Sequence, residues 1–389
     1  MRTRIQHLEI ILKLSERCNI NCTYCYVFNK GSSISDEAPP ALTEAGITDF
    51  RRFIDRAHDE YDIGTLQIDF HGGEPLMMKK QRFAHLCDEL LQTRRPGSTL
   101  SLALQTNGIL VDDAWIDLFR RYDVFVSVSI DGTKAVNDRY RLDKRGRGTY
   151  DRTVAGLRRL QAAHRDGRLP YAPGVLSVIN PEACGAETYR HFVDDLGVRG
   201  FDFLLPDDSY DDAPVDDDGI GRFLTGALDE WIRDGDPSIR VRIFHTHLAR
   251  LLGAADAGVL GHTPAVSGTY AFTVGADGIA RVDDTLRSTA DPIFDPIGHV
   301  ADSSLGEILS SPAFRQYEAI GGQLPEACES CIWNRVCSGG RIVNRFSRQQ
   351  RFDRKTVYCG ATRRFLSRAS SHLLNMGLPE ERLMSTLES

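Results

Sequence analysis

The chain has 389 residues, of which 41% are hydrophobic and 26% are charged, and its formal net charge is −7 at pH 7. This composition indicates a globular protein of about two or three domains. The negative charge disfavours nucleic acid as a partner, and the sequence contains neither an apolar stretch of ~18 residues nor a secretory signal. We therefore expect a cytoplasmic protein without a membrane partner, whose nine cysteines act as metal ligands or redox groups rather than as disulfides.

Between residue 8 and about residue 205, short apolar runs alternate with longer amphipathic stretches, which is typical of a parallel α/β sheet. The predicted strands are 8–14, Leu66–His71, Leu100–Gln105, Val124–Ile130, Gly174–Ile179 and Phe201–Leu205. The predicted helices between them are Thr43–Tyr61, Gln81–Arg94, Asp112–Arg121, Tyr150–His164 and Ala186–Leu196. Six such units predict a partial (β/α)6 TIM-like barrel, whose active site opens at the carboxyl ends of the strands.

A cysteine-rich loop follows the first predicted strand, with Cys18, Cys22 and Cys25 in a C-x3-C-x2-C pattern. Ordinary ferredoxin-type clusters are held by four cysteines and only carry electrons. Three thiolates on one short loop can hold three irons of a 4Fe–4S cubane and leave the fourth iron open for chemistry. The alternative is a zinc site, although zinc sites usually pair their cysteines.

The spacing of this loop, with Tyr24 before its third cysteine, resembles the radical S-adenosylmethionine (SAM) superfamily. At the next strand end, Gly72-Gly73-Glu74-Pro75 resembles the motif that holds the methionine amino group of SAM in that family, although taken alone it fits a plain turn. Paired glycines let a backbone approach a ligand closely. The resemblance implies SAM and one radical SAM 4Fe–4S cluster as cofactors. The implied cofactor-binding residues are Tyr24, Gly72, Gly73, Glu74, Ser129 and Arg141, with Asp131 beside them.

Residues 207–218 carry seven aspartates in twelve residues. A solvated loop is one interpretation, and an electrostatic landing strip for a basic peptide is the other. A helical stretch from about Ile220 to Gly253 is predicted after this segment. Two short β-like pieces follow, Tyr270–Val274 and Ile279–Val282.

The C-terminal part of the chain contains Cys328, Cys331, Cys337 and Cys359, enough for a closed four-ligand cluster or for a structural zinc. This pattern resembles the SPASM extension of radical SAM peptide maturases, which usually carries two auxiliary clusters. The chain departs from that pattern because Arg341 and Asp283 replace expected cysteines. We therefore predict one auxiliary 4Fe–4S cluster, with the first auxiliary site lost.

Asp284 follows one of these replaced positions. The resemblance implies a catalytic role, because an aspartate there accepts a proton in the sulfatase-maturating relatives. Such a base is expected to need a pKa raised towards neutrality, and the alternative is a pair of surface aspartates on a turn. Of the other cysteines, Cys87 is predicted to lie in the core, whereas Cys184 lies in a loop and can be considered as a hydrogen-atom donor.

Further stretches, FLLPDDSYDDAPVDDDGIGRF and CESCIWNRVCSGGRIVNRF…VYCG, resemble Xye- and Fxs-type maturases of ribosomally made peptides. Those enzymes join an aromatic ring carbon to the β-carbon two residues on, giving three-residue cyclophanes. The resemblance implies a ribosomal precursor peptide as substrate and a flavodoxin- or ferredoxin-type reductant. The alternatives are formylglycine formation of the sulfatase-maturating kind, other peptide dehydrogenation, or a non-catalytic iron–sulfur carrier.

We predict four regions along the chain. Residues 1–206 form the barrel, 207–265 the acidic loop and helical connector, 266–360 a SPASM-like auxiliary domain, and 361–389 a C-terminal helix. Because about seven residues precede the first predicted strand, we expect no N-terminal leader-binding domain.

Overall fold

The computed structural model describes residues 2–212, 214–254 and 268–388. The strands are β1 (Thr3–Ser15), β2 (Ile20–Cys22), β3 (Tyr61–Gly72), β4 (Thr99–Thr106), β5 (Val124–Ser129), β6 (Arg141–Asp143), β7 (Gly174–Val178), β8 (Gly200–Leu204), β9 (Arg240–Val241), β10 (Thr269–Val274), β11 (Ile279–Arg281) and β12 (Gly298–His299). Among the described helices, none combines the length and the apolar character that a membrane crossing requires.

The α-helices lie mainly between the strands and at the C-terminal end of the chain. They are α1 (Ile34–Glu37), α2 (Glu44–Glu60), α3 (Lys80–Gln92), α4 (Asp113–Tyr122), α5 (Lys134–Tyr140), α6 (Tyr150–Arg165), α7 (Gly185–Arg190), α8 (Asp217–Asp234), α9 (Arg242–Leu251), α10 (Leu305–Ser310), α11 (Pro312–Gly322), α12 (Asn334–Cys337), α13 (Cys359–Asn375) and α14 (Glu380–Glu388). The chain divides into two compact units. Described residues 2–129, 138–173 and 268–319 form the first, and 130–137, 174–212, 214–254 and 320–388 form the second.

The first unit contains a sheet with the strand order β12-β11-β10-β1-β3-β4-β5. The pairs from β10 to β5 are parallel, and β11 and β12 are antiparallel additions at the edge. In β1, Leu8, Ile10 and Leu12 are fully buried and share one face, because side chains alternate along a strand. Lys13 therefore lies on the opposite face, where its register partner on β3 is His71.

The second unit contains the parallel strands β7, β8 and β9, with α7 and α13 packed against α8. Its core is aromatic. Phe203 contacts Phe192, Phe223 and Phe244, and Phe244 stacks on Phe365 of α13. Helix α13 begins at Cys359, so this core also fixes the C-terminal cysteine segment.

The predicted mixed α/β fold with a parallel sheet is confirmed. The helical stretch predicted from about Ile220 to Gly253 contains two helices: α8 ends at Asp234, the following Gly235 adopts a left-handed conformation with φ of 58°, and β9 separates α8 from α9. Strand β10 pairs with β1 in the first unit. The predicted boundary between residues 265 and 266 lies outside the described residues, and the four predicted regions stay a prediction.

Candidate active site

The three cysteines of the first loop lie together. Cys18 and Cys22 are each 9% exposed, and Tyr24, Cys25 and Phe28 pack against them. The amide of Cys25 donates a hydrogen bond to the carbonyl of Cys22 (3.0 Å), which forms a tight turn. Burial raises the pKa of the Cys18 thiol to about 12. Because a metal-coordinating thiol is deprotonated outright, three grouped thiols, of which Cys25 is only half-buried, fit a site that binds a cationic metal group.

Glu74 connects the ends of two neighbouring strands. Its carboxylate is 1% exposed and accepts hydrogen bonds from the Thr106 hydroxyl (2.7 Å) and from the backbone amides of Leu76 (3.0 Å) and Asn107 (2.8 Å). Burial raises the pKa of Glu74 despite these hydrogen bonds. Glu74 therefore holds β3 to β4 at the edge where SAM contacts are predicted.

The two glycines before Glu74 allow another segment of the chain, rather than a ligand, to approach the backbone closely. Gly72 has a φ of +147°, and a Cβ added there would clash with the backbone of Ser15. A Cβ on Gly73 would clash with the carbonyl of Arg17, and the Gly73 amide donates to the Ser15 carbonyl (2.6 Å). The glycines therefore allow the end of β3 to pack against the segment that leads into the cysteine loop.

Two other predicted SAM contacts, Tyr24 and Arg141, lie together. Arg141 is buried, and its guanidinium donates to the Tyr24 hydroxyl (2.7 Å). The short antiparallel pair β2–β6 sets Cys22 opposite Arg141. This pairing ties the predicted carboxylate-binding arginine to the cysteine loop.

Ser129 and Gln105 also lie together, on adjacent parallel strands of the first unit. The Gln105 amide donates to the Ser129 hydroxyl (2.7 Å). Asp131 lies two residues after Ser129 and belongs to the second unit. There its carboxylate accepts a hydrogen bond from the amide of Val178 (3.1 Å). The predicted roles of these residues stay predictions.

Asp284 is not a surface aspartate. It is 7% exposed and forms a buried ion pair with Lys13. A guanidinium nitrogen of Arg287 lies 3.6 Å from its other oxygen, and the Tyr26 hydroxyl donates to it. Burial alone raises the pKa of Asp284, but Lys13 and Arg287 outweigh it and hold the pKa at about 2. The expectation of a raised pKa is therefore wrong, because two cations face this carboxylate.

Sequence reasoning missed Lys13 and Tyr26. A lysine within the apolar run Ile10–Leu14 is the signal that could have identified the first, since a buried lysine needs a partner. Asn107 follows β4, and its side-chain amide donates to Asn19 (2.7 Å) and lies 3.9 Å from the sulfur of Cys18. His71 is half-buried, and its partial burial together with Lys13 lowers its pKa to about 4.

The four C-terminal cysteines line one cavity in the second unit. Cys328, Cys331, Cys337 and Cys359 surround it together with Lys355 and Arg363. Burial raises the pKa of Cys337 to about 12, and it also raises the pKa of Cys328 and Cys359. Among the described residues, no three His, Cys, Asp or Glu side chains are grouped as ligands of a metal ion. Four thiols around a shared cavity fit a metal group larger than a single ion, and the cations Lys355 and Arg363 can balance the negative charge of the thiolates.

The positions that replace cysteines carry other interactions. Arg341 forms an ion pair with Asp207 (2.7 Å) and donates to the carbonyl of Leu205 (3.0 Å). Asp283 accepts hydrogen bonds from the amide (2.9 Å) and hydroxyl (2.8 Å) of Thr285. Both side chains therefore have structural partners.

The seven aspartates of residues 207–218 all interact with the chain itself. Asp207 pairs with Arg341, Asp208 accepts from the Tyr358 hydroxyl (2.6 Å), and Asp217 accepts from the amide of Ala361 (2.8 Å) at the start of α13. The partners of the others are Arg348 for Asp211, Ser209 for Asp212, Gly219 for Asp216 and Arg364 for Asp218. Five of these contacts reach residues between Arg341 and Arg364, around Cys359, whereas the contacts of Asp212 and Asp216 are local. Asp211, Asp212, Asp216 and Asp218 are exposed, and the interpretations as a solvated loop and as a peptide landing strip both stay predictions.

The remaining cysteines differ in exposure. Cys87 is fully buried in α3, which confirms its predicted place in the core. Cys184 is exposed at the start of α7, and its predicted role as a hydrogen-atom donor stays a prediction.

The model of the Radical SAM superfamily matches residues 12–175, the segment that contains the first cysteine loop and Glu74. The serine-type anaerobic sulfatase-maturating enzyme of Bacteroides thetaiotaomicron is 25% identical over 349 residues, covering 85% of this chain and 81% of that protein. The cysteine-type enzyme of Clostridium perfringens strain 13 is 23% identical over 388 residues, covering 95% of this chain and 98% of that protein.

Solved structures share the fold. Native anSMEcpe with bound AdoMet and the Cp18Cys peptide superposes with a TM-score of 0.78 at 20% identity, covering 95% of this chain and 98% of that chain. Streptococcus suis SuiB bound to the precursor peptide SuiA gives a TM-score of 0.55 at 13% identity, covering 87% of this chain and 72% of that chain.

Proposed function

This chain is a radical SAM enzyme, and we propose that it oxidises one side chain of a peptide or protein substrate. The substrate class comes from the relatives: sulfatase-maturating enzymes modify proteins, and the solved structures that share the fold include complexes with peptides. We propose formylglycine formation from Cys or Ser as the modification, because both the serine-type and the cysteine-type sulfatase-maturating enzymes match most of the chain.

The residues that would hold the cofactors fit their chemistry. Cys18, Cys22 and Cys25 are the proposed iron ligands of the radical SAM cluster, while Glu74 and Arg141 would face the amino and carboxylate groups of SAM. SAM with its 4Fe–4S cluster supplies, when bound, the abstraction of a hydrogen atom from an unactivated carbon. The protein's own task is then to place that carbon and to exclude water.

One observation carries the oxidative proposal: a buried ionised carboxylate, Asp284, hydrogen-bonded to Tyr26, the residue next to Cys25. A two-electron oxidation of the substrate carbon first removes one hydrogen atom. It is completed when one further electron and one proton leave the substrate radical. We propose Asp284 as the acceptor of this proton. A weak base suffices, because a substrate radical that has also lost an electron is a much stronger acid than a carboxylic acid.

Cys328, Cys331, Cys337 and Cys359 are the proposed ligands of one auxiliary 4Fe–4S cluster, which supplies electron transfer when bound. The shared cavity and the cations Lys355 and Arg363 support this proposal. We also propose that this region is of the SPASM type and that the reductant is a flavodoxin or ferredoxin. The proposed location is the cytoplasm.

Cyclophane formation is the second candidate function. The predicted loss of the first auxiliary site favours it. The two positions where cysteines are expected hold Asp283 and Arg341, and Arg341 is paired with Asp207. Both candidates begin with the removal of a hydrogen atom from the β-carbon of a peptide residue. They differ in whether the oxidised carbon becomes a carbonyl or is joined to an aromatic ring.

A peptide panel separates the two candidates. The reconstituted enzyme is incubated anaerobically with SAM, dithionite and one of three probes: the Cp18Cys peptide, the same peptide with Ser in place of Cys, or a peptide with an aromatic-x-Asn triplet. We expect 5′-deoxyadenosine with all probes and a carbonyl product, trapped with a hydrazine, from the Cys or Ser peptide. A loss of two hydrogens without a carbonyl, from the triplet peptide alone, would instead establish the second candidate.

A further inference from the structure

The side chain of Lys13 occupies an unusual place in the fold. It lies within the apolar run of β1 and its side chain is only 2% exposed, yet it ends in a charged ammonium group. That group forms an ion pair with Asp284, which is 271 residues away in the sequence, and lies 5.6 Å from the centre of the Tyr26 ring. The pair therefore joins the first strand, the cysteine loop and the segment after β11.

Every element around Asp284 presents a titratable or charged group to it. These groups are Lys13 from β1, Tyr26 from the cysteine loop, His71 from β3, Arg281 from β11 and Arg287 from the carboxylate's own segment. Only Lys13 forms an ion pair with Asp284 from another element among the described residues. Arg287 lies farther away, at 3.6 Å, and donates its other nitrogens to Ser32 (3.4 Å) and Ser35 (3.3 Å).

Stability alone does not explain this pair. A buried ion pair can often be replaced by apolar residues of similar volume without loss of stability, because the charges must first be removed from water. Ile11, the preceding residue of β1 on the same face as Lys13, is apolar. This face of the strand therefore does not require a charged side chain at position 13.

We propose that Lys13 is a positioning residue that keeps Asp284 ionised and aimed at the substrate carbon. This inference rests on the proposed function, in which Asp284 accepts the proton released by the substrate. Lys13 also has an electrostatic effect on Cys25, but we assign its role in product formation to its ion pair with Asp284. That role passes entirely through Asp284, which makes the two residues one functional unit.

The first test measures product formed per 5′-deoxyadenosine, using the probe peptide that gives product with the wild-type holoenzyme. We expect Asp284→Asn to lower this ratio about 100-fold or more, the scale of a lost proton acceptor, while SAM cleavage continues. Lys13→Met is expected to lower it at least about tenfold at neutral pH, and Lys13→Arg, which retains the charge, is expected to restore most of the ratio.

The second test is a pH profile of the same ratio. Asp284 has a lowered pKa in the wild type, so its carboxylate is ionised throughout the working range and the ratio is expected to be flat from about pH 8 to about pH 6. Without Lys13 only Arg287 and Tyr26 oppose the effect of burial, so the pKa of Asp284 is expected to rise. Lys13→Met is therefore expected to lose product progressively as the pH falls, a change that a merely structural lysine does not produce.

Lys80 provides a matched control. It also pairs with an aspartate, Asp112 (2.8 Å), and lies 5.2 Å from the centre of an aromatic ring, that of Trp115, but its side chain is 34% exposed. Lys80→Met is expected to leave the ratio and its pH profile unchanged. A similar loss in this variant would show that any lysine–aspartate pair has the same effect and would overturn the assignment of Lys13.

Lys13→Met removes the ion-pair partner of the buried Asp284 carboxylate, so this variant alone can fail to fold. A double variant keeps the proposal testable in that case. Lys13→Met with Asp284→Asn removes both charges and is expected to fold and to match Asp284→Asn alone. A further loss in the double variant would mean that Lys13 acts independently, which overturns the proposal. Normal product formation by Asp284→Asn would refute both roles while leaving radical SAM activity intact, and an absence of 5′-deoxyadenosine from the wild type would refute the proposed function itself.

Discussion

At the scale of single residues, Glu74 holds the ends of two strands together, and we propose that the same side chain also serves the SAM site. Its two carboxylate oxygens accept three hydrogen bonds from the ends of neighbouring strands while the side chain stays 1% exposed. The sequence pattern assigns Glu74 to SAM, but its partners Thr106 and Asn107 are 32 and 33 residues away. Only the parallel pairing of β3 with β4 brings them together.

Glu74→Gln is expected to weaken both functions of this side chain. The amide presents N–H groups where the carboxylate accepted from backbone amides, so we expect a loss of about 1–3 kcal/mol in the free energy of unfolding and weaker SAM binding. Denaturant unfolding and equilibrium dialysis with SAM measure the two effects. Glu44→Gln, at an exposed pair with Arg82 and His85, is the matched control and should change stability by less than about 0.5 kcal/mol.

The Lys13–Asp284 pair marks the limit of sequence reasoning at this scale. Asp284 is identifiable by its position in the chain, but its charge state depends on a lysine in another strand. The prediction of a raised pKa took burial into account and had no means of including Lys13 and Arg287. Cysteine spacing, in contrast, depends only on local sequence, and the structure brings Cys18 and Cys22 into one buried cluster.

At the scale of elements, the parallel strands follow from the alternation of short apolar runs with longer amphipathic stretches along the chain. The predicted strand Leu100–Gln105 corresponds to Thr99–Thr106, and Val124–Ile130 corresponds to Val124–Ser129. The predicted helical stretch Ile220–Gly253 is divided into two helices at Gly235, a break that apolar periodicity does not reveal. The pairing of β10 with β1 was beyond prediction, because it depends on a contact between residues more than 250 positions apart.

The aspartate-rich segment is an element whose partners the sequence did not reveal. Composition alone suggests a solvated run, whereas its carboxylates bind the residues that flank the C-terminal cysteines. Tyr358, fully buried and adjacent to Cys359, donates to Asp208 (2.6 Å). We infer that this segment is a structural support for the cavity lined by the four cysteines.

Tyr358→Phe tests this support. Removing the hydroxyl leaves the Asp208 carboxylate without that donor, so we expect a loss of about 1–3 kcal/mol in the free energy of unfolding and faster release of iron during chelator challenge. Tyr171→Phe is the matched control, since Tyr171 also donates to an aspartate, Asp123 (3.3 Å), but is 47% exposed. Equal iron release by the two variants would count against a supporting role for the aspartate-rich segment.

At the scale of the whole molecule, the iron content tests the number of clusters. One radical SAM cluster and one auxiliary cluster give about eight irons per chain. Replacing Cys18, Cys22 and Cys25 with Ala should leave about four, and so should replacing the four C-terminal cysteines. About twelve irons in the wild type would mean that the positions of Asp283 and Arg341 do not mark a lost site.

The central claim is that this enzyme removes a hydrogen atom from the side chain of a peptide residue. The most direct measurement uses the Cp18Cys peptide, its Ser counterpart and the aromatic-x-Asn peptide, each deuterated at the β-carbon of the target residue, with mass spectrometry of the 5′-deoxyadenosine and of the peptide after anaerobic turnover. We predict one deuterium in the 5′-deoxyadenosine and an oxidised peptide from at least one probe. Unlabelled 5′-deoxyadenosine together with unchanged peptide from all three would contradict the account.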